Sequence, residues 1–140
     1  MTRMPRITAF LALLVVLGTG LAAVANDDTP VRVKVINSGR VYLPTGAADG
    51  RSWRKPATLV SRTIFDATPE WKTIVRRKLS PNTAEYCLLA KGASDRFKAA
   101  VTKASTHGGF DIVAETGAIK ADNETLPDIT SDVLANLALN

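Results

Sequence analysis

Apolar and polar positions alternate first at Val31, Val33 and Val35, with Arg32 and Lys34 between them. A period of two with β-branched residues on one side predicts a half-buried strand. Asn37-Ser38-Gly39 is a turn signal. Leu43 to Gly50 is rich in Gly and Pro and breaks any helix, and Arg51 to Pro56 is polar and basic around Trp53. Ala57 to Phe65 reads equally as a short strand or as an irregular packed segment. The period then lengthens. Thr68-Pro69-Glu70 has a capping hydroxyl, a proline at the first helical position and an acid at the positive end of the dipole, so a helix starts there. Trp71, Ile74, Val75 and Leu79 share its apolar face. Ser80-Pro81 stops or kinks it and offers a cap for the next. A second segment carries Ala84, Cys87 and Leu88 as its apolar set and ends at Gly92; Ser94 caps a third, whose stripe is Phe97, Ala100, Val101 and Ala104.

The pattern returns to a period of two at Phe110-Asp111-Ile112-Val113-Ala114-Glu115, a strand with one buried face. Thr116-Gly117 offers a tight turn, after which Ala118-Ile119-Lys120 pairs back as a hairpin. A final helix follows Leu126-Pro127-Asp128-Ile129, capped by the Thr130 hydroxyl, with Val133, Leu134 and Leu137 on one stripe. Pairing of the first valine strand with this hairpin would bury the valines beside Phe110 and Ile112. Full burial of each such side chain is worth about 1.5–3 kcal/mol. The predicted class is α+β. A small antiparallel sheet is made from the N- and C-terminal segments, with an inserted, interrupted helical arm and a short C-terminal helix. Val33, Val35, Phe110, Ile112, Ile129, Val133 and Leu134 form the core of the body and of any oligomer. No heptad repeat runs through the middle, so a long coiled coil is not expected.

Residues 1–25 read as a secretory signal peptide. Arg3 and Arg6 precede the apolar Ile7–Leu17 run, and Ala23-Val24-Ala25 is a small-x-small cleavage site before Asn26. Residues 26–140 are then one domain, with its body at 31–43 and 107–140 and its arm at 44–106. The only cysteine, Cys87, cannot form an intramolecular disulfide. A small exported domain without that staple gains stability by self-association. Charge is unevenly spread. Residues 30–103 hold 15 basic and 5 acidic side chains, net +10, whereas residues 104–140 hold 1 and 6, net −5. A basic middle attracts anionic partners. In an exported protein these are anionic lipid, lipopolysaccharide or an acidic unfolded chain rather than nucleic acid. Arg76, Arg77 and Lys78 with Trp71 are the candidate contact for client chains or anionic lipid.

The sequence offers no catalytic constellation. His107, the sole histidine, precedes two glycines, where it favours a helix C-terminus. Cys87 falls in an apolar helical set, as a small buried thiol would. One His and one Cys do not make a metal site. Asp122, Glu124, Asp128 and Asp132 lack the spacing and glycine of a calcium loop. No cofactor is expected.

Two stretches resemble a known family. Gly109-Phe110-Asp111-Ile112-Val113-Ala114-Glu115, a turn, a short strand and Leu126–Leu137 (LPDITSDVLANL) are similar to the C-terminal part of the OmpH/Skp family of periplasmic chaperones. The run Val31–Tyr42 (VRVKVINSGRVY) resembles that family's first strand and the turn after it. The resemblance covers both ends of the chain beyond the leader and not the middle, where Leu43–Gly50 departs from the family's long arm. It implies a homotrimeric, ATP-independent periplasmic holdase for unfolded outer-membrane proteins in a Gram-negative bacterium. The shortened arm leaves a second reading, an oligomeric envelope binding or scaffold protein without chaperone activity. A third, an enzyme using Cys87, has the least support.

Overall fold

The computed structural model describes residues 29–43 and 52–138. The leader expected over 1–25 and most of the Gly/Pro-rich break lie outside the described residues. In chain order the elements are β1 (Val31–Val35), a 3-10 turn (Ser38–Arg40), β2 (Val41–Leu43), β3 (Ser52–Trp53) and β4 (Pro56–Leu59). Helices α1 (Ser61–Ala67), α2 (Pro69–Arg77) and α3 (Ala84–Gly108) follow, then β5 (Ile112–Glu115), β6 (Ile119–Ala121) and α4 (Thr130–Ala138). The class is α+β, as expected.

The two ends of the chain meet. β1 pairs antiparallel with β6, Val33 opposite Ala121 and Val35 opposite Ile119, and with β3 on its other edge. A second sheet has the order β2-β5-β4. There β2 runs antiparallel to β5, while β4 runs parallel to it from Pro56↔Ile112 to Leu59↔Glu115. A parallel neighbour requires a crossover, and α1 to α3 supply it.

β5 and β6 do not form the expected hairpin. The Ala118 N–H donates to the Glu115 carbonyl at 2.8 Å and Gly117 has φ +85°, so the turn itself is tight. The turn nevertheless carries the chain from one sheet to the other. Both edges of β5 are already taken, by β2 and β4, and β6 finds its partner in β1. Nor is β5 half-buried. Val113 packs into a cluster with Leu59, Ile64, Phe97, Val101 and Val133, while Ile112 and Ala114 pack into another with Val33 and Ile119. The strand is sandwiched between helices and the first sheet, and Ile112-Val113-Ala114 are all fully buried.

The undecided Ala57–Phe65 segment resolves into β4 and α1. All four residues of β4 are buried, as continuous apolar strands in covered parallel pairs are. Its outer edge is closed by the chain before α4: the Thr58 N–H donates to the Pro127 carbonyl and the Ile129 N–H to the Thr58 carbonyl, each at 2.9 Å. At the start of α4 the capping acceptor is the Asp128 carboxylate, which receives the Thr130 N–H at 2.8 Å. The Thr130 hydroxyl, expected in that role, instead accepts the Val60 N–H at 2.9 Å and ties α4 to β4.

The middle of the chain is therefore not an arm throughout. β4 lies inside a body sheet, and Phe97, Ala100, Val101 and Ala104 of α3 belong to the body's core. Only α2 and the first third of α3 lie outside it. Of the expected core residues, Val33, Ile112, Ile129 and Val133 are buried, and Val35, Phe110 and Leu134 are half-buried. Phe110 precedes β5 rather than joining it, and its ring lies under the Lys55 ammonium at 5.0 Å.

Candidate client-binding surface

The segment Pro69–Ala90 is built as a helical hairpin. α2 begins where the sequence predicts: the Thr68 hydroxyl accepts the Trp71 N–H at 3.2 Å and Pro69 occupies the first turn. It ends with the Leu79 N–H donating to the Ile74 carbonyl at 3.1 Å and with Lys78 in the left-handed region, φ +50°. This is the geometry in which helices usually place glycine. Thr83 caps α3 by accepting the Tyr86 N–H at 3.3 Å, and Arg77 pairs with Glu85 across the turn.

α3 runs unbroken through Gly92 and Ser94, where the sequence predicts a stop and a new cap. Gly92 faces α2: a methyl group at that position would meet the Glu70 Cγ at 3.3 Å, a tight contact. Beside it Glu70 of α2 receives hydrogen bonds from Arg96 of α3, from Nε at 3.1 and 3.2 Å and from Nη2 at 2.9 Å. Both side chains are largely covered, 18% and 29% exposed. The Arg96 hydrogen bonds hold the Glu70 carboxyl below its usual range, against a smaller opposing effect of burial.

At the hairpin's end the side chains change character. Arg76, Arg77 and Lys78 are all exposed, as is Lys72 one turn back. Val75 is 63% and Leu88 72% exposed, and Cys87, next to Leu88 in sequence, is exposed too. No residue of Ala84–Gly92 is buried. The sequence pattern predicts buried stripes for Val75, Cys87 and Leu88. Helical spacing alone could not show that these stripes point away from the body. Among the described residues Lys72, Arg76 and Lys78 enter no ion pair. The tip thus joins free cationic charge to exposed aliphatic surface, a combination suited to binding an anionic, partly apolar chain.

Trp71, grouped with these cations in the sequence reading, lies further in. It is half-buried within a row of rings that crosses from tip to body. Tyr86 is 6.5 Å from Trp71 and Trp71 is 6.3 Å from Phe65. Phe65 stacks on Phe97 at 4.8 Å, and Phe97 meets Tyr42 edge-on at 5.0 Å. Such pairs are worth about 0.5–1.5 kcal/mol each beyond area burial. Tyr42 closes the row by donating to Glu115 at 2.8 Å, while the same carboxylate accepts the Ser61 N–H at 3.1 Å at the start of α1. Burial first, and then Glu115, push the Tyr42 hydroxyl above its ordinary value.

Cys87 and His107 lie twenty positions apart on the same helix. That separation is about 30 Å at 1.5 Å per residue, so they cannot act as a nucleophile–base pair. Among the described residues no three His, Cys, Asp or Glu side chains converge as metal ligands. No described helix is long and apolar enough to cross a membrane. Comparison with protein-family models, with curated proteins and with solved structures finds no match for the chain.

Proposed function

We propose that the protein is a periplasmic, ATP-independent holdase that shields unfolded outer-membrane proteins, and that the tip of the α2–α3 hairpin makes first contact with them. The observation that carries this reading is the tip itself. Val75 and Leu88 stand exposed on the same helical hairpin as Lys72, Arg76 and Lys78, none of which pairs with a carboxylate among the described residues. Cations raise the encounter rate with acidic chains, and aliphatic surface retains apolar segments. The reading draws on the OmpH/Skp resemblance of the two chain ends, which the β1–β6 ladder brings together. By the same resemblance the protein is a homotrimer; the positive charge of the tip makes anionic lipid or lipopolysaccharide a further partner. In this reading no cofactor and no catalytic step is involved.

A second reading, an oligomeric envelope scaffold, draws on a different observation. Much of the expected arm is folded into the body, which limits the hairpin's reach. Dilution of a urea-denatured porin into buffer with and without the protein separates the two. Suppressed light scattering at near-stoichiometric protein supports the holdase. Unchanged scattering at several-fold excess supports the scaffold.

A further inference from the structure

The body holds a cavity of about 460 Å³ lined from β2, α1 and α3. Small-molecule sites run from roughly 300 to 1,000 Å³. The wall from α3 follows from helical spacing. Ser94, Phe97, Lys98, Val101 and Thr102 fall three and four positions apart, so they share one face of the helix. Two rows separate within that face. Phe97 and Val101, 3% and 1% exposed, make an apolar floor that belongs to the core. Ser94, Lys98 and Thr102, half-buried or exposed, make a polar rim with one residue per turn. Val41, Tyr42 and Leu43 of β2 and Phe65 of α1 complete the lining.

Two features set the class of ligand. The first is the rings. Tyr42, Phe65 and Phe97 are three of the nine lining residues, and they already form a cluster: Phe65 stacks on Phe97 at 4.8 Å, and Tyr42 meets Phe97 edge-on at 5.0 Å. A further ring can join such a cluster edge-on or offset. The second is charge. Lys98 is the one charged residue of the nine; it is exposed and enters no ion pair with a described residue. The acids next to lining residues in sequence are engaged elsewhere, Asp95 with Lys91 at 2.6 Å and Asp66 with Arg62 at 3.8 Å. Glu115 is held by the Tyr42 hydroxyl and the Ser61 N–H. The cavity thus presents an aromatic interior and a single positive charge at its rim. Lys98 stands midway along that rim, about 6 Å along the helix axis from either end. That spacing suits one ring on a short linker rather than a long acyl chain.

We infer that this cavity binds a small aromatic carboxylate. Its ring lies on the floor against Phe65, Phe97 and Tyr42. Its carboxylate meets the Lys98 ammonium, and the Ser94 hydroxyl, one turn earlier on the same rim, can donate a hydrogen bond to it. The pattern is that of small-molecule sites in general, an apolar lining with a few polar groups that fix orientation. The inference goes beyond the holdase reading and does not depend on it.

Isothermal titration calorimetry of the full chain beyond residue 25 with 3-phenylpropionate tests it. The controls are 3-phenylpropanol, 3-phenylpropylamine and octanoate. The aromatic acid is expected to saturate one site. Each control should bind weaker by about fivefold or more, the alcohol and the amine for want of the negative charge and octanoate for want of the ring. Lys98→Glu should weaken the acid by about tenfold or more and turn the preference towards the amine. General damage to the fold would not produce that reversal. Ser94→Trp, which fills one end of the cavity, should weaken acid and amine alike. Thermal unfolding checks both variants. Should Ser94→Trp fail to fold, Lys98→Glu, at an exposed position, carries the test. No saturable binding of 3-phenylpropionate overturns the inference, as does equal binding of acid and amine or undiminished binding by Lys98→Glu. Tighter binding of octanoate than of the aromatic acid also overturns it and assigns the cavity to an acyl chain.

Discussion

Helices α2 and α3 stop with the same backbone motif and different residues. At the body end of α3, Gly109 takes the left-handed conformation at φ +67°, and the Phe110 N–H reaches back to the Ser105 carbonyl at 2.9 Å. At the tip end of α2, Lys78 takes that conformation at φ +50°. An L side chain there costs on the order of 1 kcal/mol relative to glycine. The body uses the residue that the geometry favours. The tip accepts strain and keeps a cation. The same contrast holds for packing. The last half of α3 buries Phe97, Ala100, Val101 and Ala104, whereas the first third buries nothing and leaves Leu88 in solvent. One region is arranged for stability, and the other keeps features that stability alone would remove.

The contrast breaks most sharply if the body is not the seat of stability. Ile112→Ala removes a fully buried side chain between the two sheets. It should lower the unfolding free energy by about 2–5 kcal/mol in urea titrations. A loss below about 1 kcal/mol would mean that the two sheets do not form one core.

The link between the regions is the Glu70–Arg96 pair. Glu70→Gln should cost about 1 kcal/mol at neutral pH. The sign of its pH dependence follows from the lowered Glu70 pKa. The carboxylate's contribution is fully present above the ordinary carboxylate range and is lost as the pH falls through the depressed value. Wild type and variant should therefore differ at pH 7 and converge in acid. A difference that grows with acidification would contradict the assignment.

Lys78→Gly should do the reverse, raising stability by about 0.5–1 kcal/mol through relief of the left-handed strain. It should weaken porin protection because a tip cation is gone. A gain in both would show that the strain at Lys78 serves nothing at the tip. Leu88→Ser has the smallest expected effect on folding. At 72% exposure its stability change should stay within about 0.5 kcal/mol by thermal denaturation, while protection of porin declines.

Part of this arrangement is visible in the sequence. Alternation at Val31–Val35 and the apolar run after Phe110 place the chain's ends together, and the β1–β6 ladder bears that out. The start of α2 is equally plain at Thr68-Pro69-Glu70, because capping depends on neighbours in sequence. What was hidden depends on distant partners. Pro56–Leu59 is four residues long and buried on both faces, and such a run carries no period to separate strand from helix. Asp111 and Glu115, flanking Ile112-Val113-Ala114, make β5 look one-sided. Their carboxylates in fact serve backbone N–H groups, Asp111 those of Arg54 and Lys55 and Glu115 that of Ser61. Gly92 signals a helix stop until Glu70 is seen lying against it. The cationic half of the tip, Arg76-Arg77-Lys78, was legible as charge. Its aliphatic half was not, since Val75 and Leu88 fit an amphipathic stripe whose direction only the tertiary packing sets.

The central claim is that the tip binds clients and the body does not need the tip to fold. Light scattering of a denatured porin, diluted into wild type or into a variant carrying Lys72→Glu, Arg76→Glu, Lys78→Glu and Leu88→Ser, tests it most directly. The account predicts that wild type suppresses aggregation and that the variant, with an unchanged urea midpoint, does not. Equal suppression by both proteins, or none by wild type, would contradict it.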